Sequence, residues 1–393
     1  MASLRRAPHA RRIGLVALVA CLGLAGSAAA GPREQAKRMH DRLVGTPPSA
    51  AVLDSMAAKI AGSDPIGAAY EAMDDPEFYR TSLKNFATPW TNVERSVFAD
   101  LNDYSATVIG MIRDDVPFDQ VLSADLVYVG TQVSPGYSHS DNEHYRALER
   151  GFVDLSDPAL LRGVPQSSLS GSVLSPADTA GVITTRAAAE AFFSAGTNRR
   201  MWRFIGMNFL CRDMEDLKDI TRPVDRIRQD VSRSPGGDSS IFTNHCTGCH
   251  SGMDALAGAF AFYEWNPDQA RLELTRGSVQ PKYLINANTF PFGWVSVDDR
   301  WDNYWREGPN VLLDWDAALP GGGFGPKSLG EEVAASRAFS TCQVRKAFEH
   351  VCFRAPNSDA DVAEIERIAD VFETQDYSMK RVFAETAAFC MGQ

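Results

Sequence analysis

The sequence predicts a mainly α fold. Apolar residues recur three and four apart along most of the chain, and the strict alternation of a half-buried strand is scarce. With 44% apolar and 23% charged residues, the composition is that of a globular chain rather than a disordered one.

The elements follow in order. Gly31-Pro32 opens the body, with Pro32 suited to a first helical turn. Ser49 is placed to cap a helix carrying Val52, Met56 and Ile60. Val93, Val97, Leu101, Val108, Ile109 and Ile112 predict one long amphipathic helix over 91–113. Residues 131–182, rich in Ser, Gly, Pro and Asp, read as a long irregular connection. Helix returns over 186–211 through Phe192, Phe193, Trp202, Ile205 and Phe209. Residues 232–240 (SRSPGGDSS) are a turn-rich break. Residues 266–330 carry many aromatics and few helical signals. Helices then follow over 339–353, around Val362 to Phe372, and from Met379 to Ala387. The expected organisation is a leader at 1–30, an N-terminal helical region at 31–180, and a second, functional domain at 181–393.

The leader has a basic start, MASLRRAPHARR, a short apolar stretch from Ile13 to Leu24, and Ser27-Ala28-Ala29-Ala30 as a cleavage signal. It reads as a secretory signal peptide and predicts export to the periplasm. Leu18-Val19-Ala20-Cys21 also fits a bacterial lipobox, which would leave a lipidated Cys21 as a membrane anchor. No later run approaches the ~20 apolar residues that a membrane span needs. The formal net charge of −11 includes four leader arginines, so the rest carries −15. That balance argues against nucleic acid and anionic membrane surfaces as partners and suits a basic protein partner.

One motif dominates: Cys246-Thr247-Gly248-Cys249-His250. C-x-x-C-H is the attachment pattern of c-type haem. Two residues between the thiols make one helical turn, which presents both sulfurs to one porphyrin edge. The next residue then lies beneath the iron as its proximal ligand. With seven Cys and seven His in 393 residues, chance would produce the pattern about 0.002 times. A redox C-x-x-C pair would follow a strand, and a zinc site would need further Cys or His at close spacing; neither context surrounds the motif. The expectation is one covalent haem held by Cys246 and Cys249, with His250 as iron ligand.

The motif lies in CTGCHSGMDALAGAFAFYEW and is followed by DDRWDNYWREGP, LGEEVAASRAFSTCQVRKAFEHVCFRAP and YSMKRVFAETAAF. In these segments the chain resembles a poorly characterised family of exported bacterial mono-haem c-type cytochromes. That family has a single C-x-x-C-H-x-x-M-D motif and a helical C-terminal cysteine segment. The resemblance covers about residues 185–393, and residues 45–130 fit it more loosely. It implies a cytochrome-c-like haem domain over 181–393, with no established substrate.

The distal iron ligand is left open by the sequence. No Met occurs between Met253 and Met379; the candidates are Met201, Met207, Met214, Met253, Met379, His139, His144 and His350, or a vacant position. Trp265, Trp294, Trp301, Trp305 and Trp315, with Phe290, Phe292 and Tyr304, are candidates for a porphyrin wall. Arg199 and Arg200 are candidates for the propionates, and Asp298, Asp299, Asp302 and Glu307 for a docking patch. Cys211, Cys342, Cys352 and Cys390 are even in number and suit two disulfides in an oxidising compartment. Cys342 and Cys352 are roughly 15 Å apart along a continuous helix, beyond the ~7 Å that a disulfide allows. That leaves 211–342 with 352–390, or 211–352 with 342–390. The leading expectation is an exported carrier of single electrons. A haem enzyme with an open distal site, and a haem-stapled structural or partner-binding protein, are the alternatives.

Overall fold

The computed structural model describes residues 30–194 and 196–392; the signal-peptide and lipobox expectations fall on residues 1–29, outside the described residues. The fold is mainly helical, with three small two-stranded antiparallel sheets among the described residues. The helices are α1 (Pro32–Val44), α2 (Ala50–Ala61), α3 (Pro65–Met73), α4 (Leu83–Ala87), α5 (Asp103–Arg113), α6 (Glu143–Arg150), α7 (Arg186–Phe192) and α8 (Arg199–Ile205). They continue with α9 (Met214–Leu217), α10 (Ser239–Ile241), α11 (Thr247–Ala257), α12 (Gly325–Ala334), α13 (Arg337–Cys352), α14 (Asp359–Thr374) and α15 (Met379–Cys390). Strands β1 (Val127–Gly130) and β2 (Leu161–Val164) pair around α6. β3 (Tyr263–Asn266) pairs with β4 (Arg271–Leu274), and β5 (Arg300–Asp302) with β6 (Gly322–Phe324). No described helix is long and apolar enough to cross a membrane.

Local chemistry sets the helix starts. Pro32 sits in the first turn of α1. Ser49, Thr185, Ser336, Ser358 and Ser378 each accept a backbone N–H in the next turn with their hydroxyls, satisfying donors that the helix leaves orphaned. Asn102 and Ser105 cap each other reciprocally at the start of α5. This box is why the long helix expected over 91–113 begins only at Asp103: residues 91–101 turn back on themselves through Asn92, which bonds both Thr88 O and Ser96 O. The helix expected over 186–211 is broken as well. Asn198 adopts a left-handed conformation (φ 58°), α8 starts anew at Arg199, and the segment ends in a π-turn at Gly206–Leu210.

The hydrophobic core is continuous from Ala36 in α1 to Cys390 in α15. α1 packs on α2 and α3 and on α15, and Gln35 and Arg42 donate to the carbonyls of Gly392 (2.7 Å) and Cys390 (2.8 Å). α13 is uninterrupted, so Cys342 and Cys352 face different partners. Cys211 bonds Cys342 and Cys352 bonds Cys390, with Cα separations of 5.3 and 5.6 Å. Of the two pairings that the helix geometry left, this is the first. Non-reducing peptide mapping should recover these two linkages. On the chain-entropy view, loops of 131 and 38 residues give about 5 and about 4 kcal/mol, respectively. Cys352→Ser with Cys390→Ser should therefore lower the urea midpoint strongly.

Candidate functional site

The motif lies where a π-turn, Phe242–Cys246, runs into α11. Cys246, Cys249 and His250 are spaced i, i+3 and i+4, so they share one half-buried face of the helix. The opposite face is small and packed. Gly252 lies against the Trp305 ring, which a Cβ at that position would strike. Trp305 packs on Trp202 at 5.7 Å between ring centroids. The helix is also fastened from the side: Asp219 N–H donates to Gly248 O (2.8 Å) and Ser251 Oγ to Asp219 O (2.9 Å).

Among the described residues Cys246 and Cys249 are the cysteines outside disulfides. Burial first, and the Glu215 carboxylate second, push the Cys249 thiol up, so it is protonated at neutral pH. His250 Nδ1 lies 3.0 Å from Asp254 Oδ1, one turn along α11. Burial pushes the Asp254 carboxyl up, but the Arg199 guanidinium and His250 outweigh it and hold the group well below the usual carboxylate range. An ionised carboxylate only accepts, so Nδ1 is the donor in this bond and carries a proton. Among the described residues Nε2 has no hydrogen-bond partner. An imidazole oriented through Nδ1 by a carboxylate is the usual arrangement of a metal-ligating histidine.

Exposed apolar side chains lie in the segments that pack on or lead into α11. Ile220 sits over Gly248, Ile241 leads into the π-turn, and Phe292 (91% exposed) packs edge-on to Phe290. Arg233 lies over the rings of Phe242 (4.8 Å) and Phe290 (4.2 Å). Two thiols outside disulfides and an imidazole on one half-buried helix face suit a group attached at two points and ligated at a third. Among the described residues no three His, Cys, Asp or Glu side chains converge as a metal-ion site, and a tetrahedral zinc arrangement is not assembled here.

Several expected roles are redistributed. Arg199 is occupied by Asp254 and Asp230 and Arg200 by Ala191 O and Ser194, so neither is free for a propionate. Trp301 and Trp305 are fully buried behind α11, Trp265 lies under Arg186, and Trp315 donates to Trp305 O; these four are core rather than wall. Trp294, stacked on Arg226 at 4.2 Å, lies in the 290–294 segment with Phe290 and Phe292. Tyr304 donates to the Asp225 carboxylate. Asp302 and Glu307 pair with Arg226, Arg300 and Arg222, which removes them from any unneutralised acidic patch. Asp254 and Asp230 had no expected role; an acid at i+4 from the motif histidine was the available signal for the first.

Of the distal candidates, His144 is engaged through both ring nitrogens, by Gly130 N and Pro135 O. His139 lines a separate cavity with Asp103, Tyr137 and Arg271. Met201 and Met379 are buried in the core. Met214 lies in α9, and its carbonyl faces the Cys249 thiol (3.6 Å); Met207 is part-buried in the π-turn after α8, and Met253 is buried on α11 itself. No protein-family model matches the chain, and neither curated proteins nor solved structures do.

His350 bonds Ser82 Oγ (2.9 Å) between the rings of Phe86 and Phe383. Burial lowers it from 6.5 to about 4. The unfolded chain thus takes up this proton near pH 6.5 and the folded chain only near pH 4. Stability contributed by the neutral ring is intact above pH 6.5 and falls as pH drops to 4, by about 3 kcal/mol in all. Urea titrations at pH 7, 5 and 4 should show that loss, and His350→Gln should remove most of it.

Proposed function

We propose that the chain is an exported c-type cytochrome that carries one covalent haem and passes single electrons. The observation that carries the proposal is the C-x-x-C-H face itself: two thiols kept out of disulfides beside an imidazole whose Nδ1 is held by a buried carboxylate. Cys246 and Cys249 would hold the haem by adding S–H across its two vinyl groups, each sulfur bonding one carbon and the thiol hydrogen passing to the other. His250 would bind the iron through Nε2. When bound, haem supplies a one-electron iron couple. Because the face is only half-buried, a redox partner could approach a group held there. Periplasmic location and a basic partner remain parts of this reading.

A second reading, a haem enzyme with an open distal position, is favoured by one observation: His144 and His350 are engaged elsewhere, and Met201 and Met379 are buried in the core.

The exported protein, denatured and run on a gel, should stain for haem, and the haem should survive extraction with acidified organic solvent. Cys249→Ala should lose most of the band. A reduced spectrum indifferent to carbon monoxide supports the carrier; rapid carbon monoxide binding with peroxide turnover supports the enzyme.

A further inference from the structure

The proximal side of His250 is built far more heavily than holding one ring requires. Asp254 has a fully buried side chain and accepts four contacts. Oδ1 takes His250 Nδ1 (3.0 Å) and Arg199 Nε (2.6 Å), while Oδ2 takes Arg199 Nη2 (3.0 Å) and the backbone N–H of Arg228 (3.2 Å). Arg199 turns its other edge to Asp230, with Nη1 and Nη2 each 2.9 Å from a carboxylate oxygen. Arg228 closes the far end, its Nε 3.7 Å from Asp230. The result is an alternating row of imidazole, carboxylate, guanidinium, carboxylate and guanidinium, with Asp254 fully buried and His250, Arg199 and Asp230 part-buried.

We propose that Asp254 sets the donor strength of His250 and thereby lowers the reduction potential of the bound iron, with Arg199 limiting the effect. The inference rests on the haem reading above and goes beyond it to how that site is tuned. A carboxylate accepting the Nδ1 proton draws positive charge away from the ring and makes Nε2 a stronger donor. A stronger donor, and a negative charge fixed nearby at low dielectric, both favour ferric over ferrous iron. Arg199 faces Asp254 with two donors, which holds part of that charge back from the imidazole. Asp254 does not touch the iron; it is a positioning residue that acts through His250.

The test compares Asp254→Asn with Asp230→Asn in the haem-bearing protein. Both remove one negative charge from the row, but only the first touches His250. The midpoint potential should rise clearly in Asp254→Asn and less in Asp230→Asn, while Arg199→Gln should shift it downward. An equal rise in the two Asn variants, or none in Asp254→Asn, would overturn the proposal and leave the haem assignment standing. Should Asp254→Asn not fold, the wild type decides: with 15N-labelled histidine, the His250 Nδ1 proton should appear far downfield and exchange slowly. A rapidly exchanging proton at an ordinary shift refutes the bond. Absence of covalent haem from the wild type would defeat the functional reading, and this inference with it.

Discussion

A carboxylate with no exposure to water needs a partner, and Asp254 finds it in Arg199. The packing around the motif depends on this pair. Removing one member of such a buried pair leaves an uncompensated charge and typically costs about 3–5 kcal/mol. The pair forms because the chain is interrupted just before Arg199. Asn198, in its left-handed conformation, donates its side-chain amide to Phe260 O (2.8 Å) and Tyr263 O (2.9 Å), beyond the end of α11. α8 is thus tied to α11 at two points, and the break sets the first turn of α8 opposite the middle of the motif helix.

The orientation of the reactive face follows from what is packed behind it. Gly252 admits Trp305 to the back of α11, and Trp305 leans on Trp202 of α8. With that side closed and 218–220 fastened to Gly248 and Ser251, the face bearing Cys246, Cys249 and His250 is the one left open. Aromatic residues that read in sequence as a cofactor wall, Trp305 among them, serve instead as the backing of α11. They fix where the helix sits.

What was legible in the sequence was local. Caps such as Ser49 and the helical spacing of 362–372 depend on neighbours a turn away, and both elements formed as expected. The C-x-x-C-H spacing is likewise a statement about one helical turn. The disulfide choice was legible to a factor of two, because helix length excludes 342–352 but only tertiary packing separates the remaining pairings. The misreadings were places where a distant or competing contact won. Apolar spacing over 91–113 looked continuous, yet the Asn102–Ser105 box offered a better start. Arg199 read as a candidate for a propionate because its acidic partners stand 31 and 55 residues away in sequence.

The meeting of α1 with the last residues of the chain, through Gln35 and Gly392 across 357 positions, has a consequence for the order of events during biogenesis. A chain emerging N-terminus first cannot close this contact until residue 392 has emerged. In the interval Cys211 waits for a partner 131 residues on, and Cys352 for one 38 residues on, while Cys246 and Cys249 emerge earlier than either partner. While the disulfides form, those two thiols are the nearest wrong partners in sequence for Cys211. On the haem reading proposed above, capping them as thioethers would take them out of the competition, and attachment would then also proofread the disulfides.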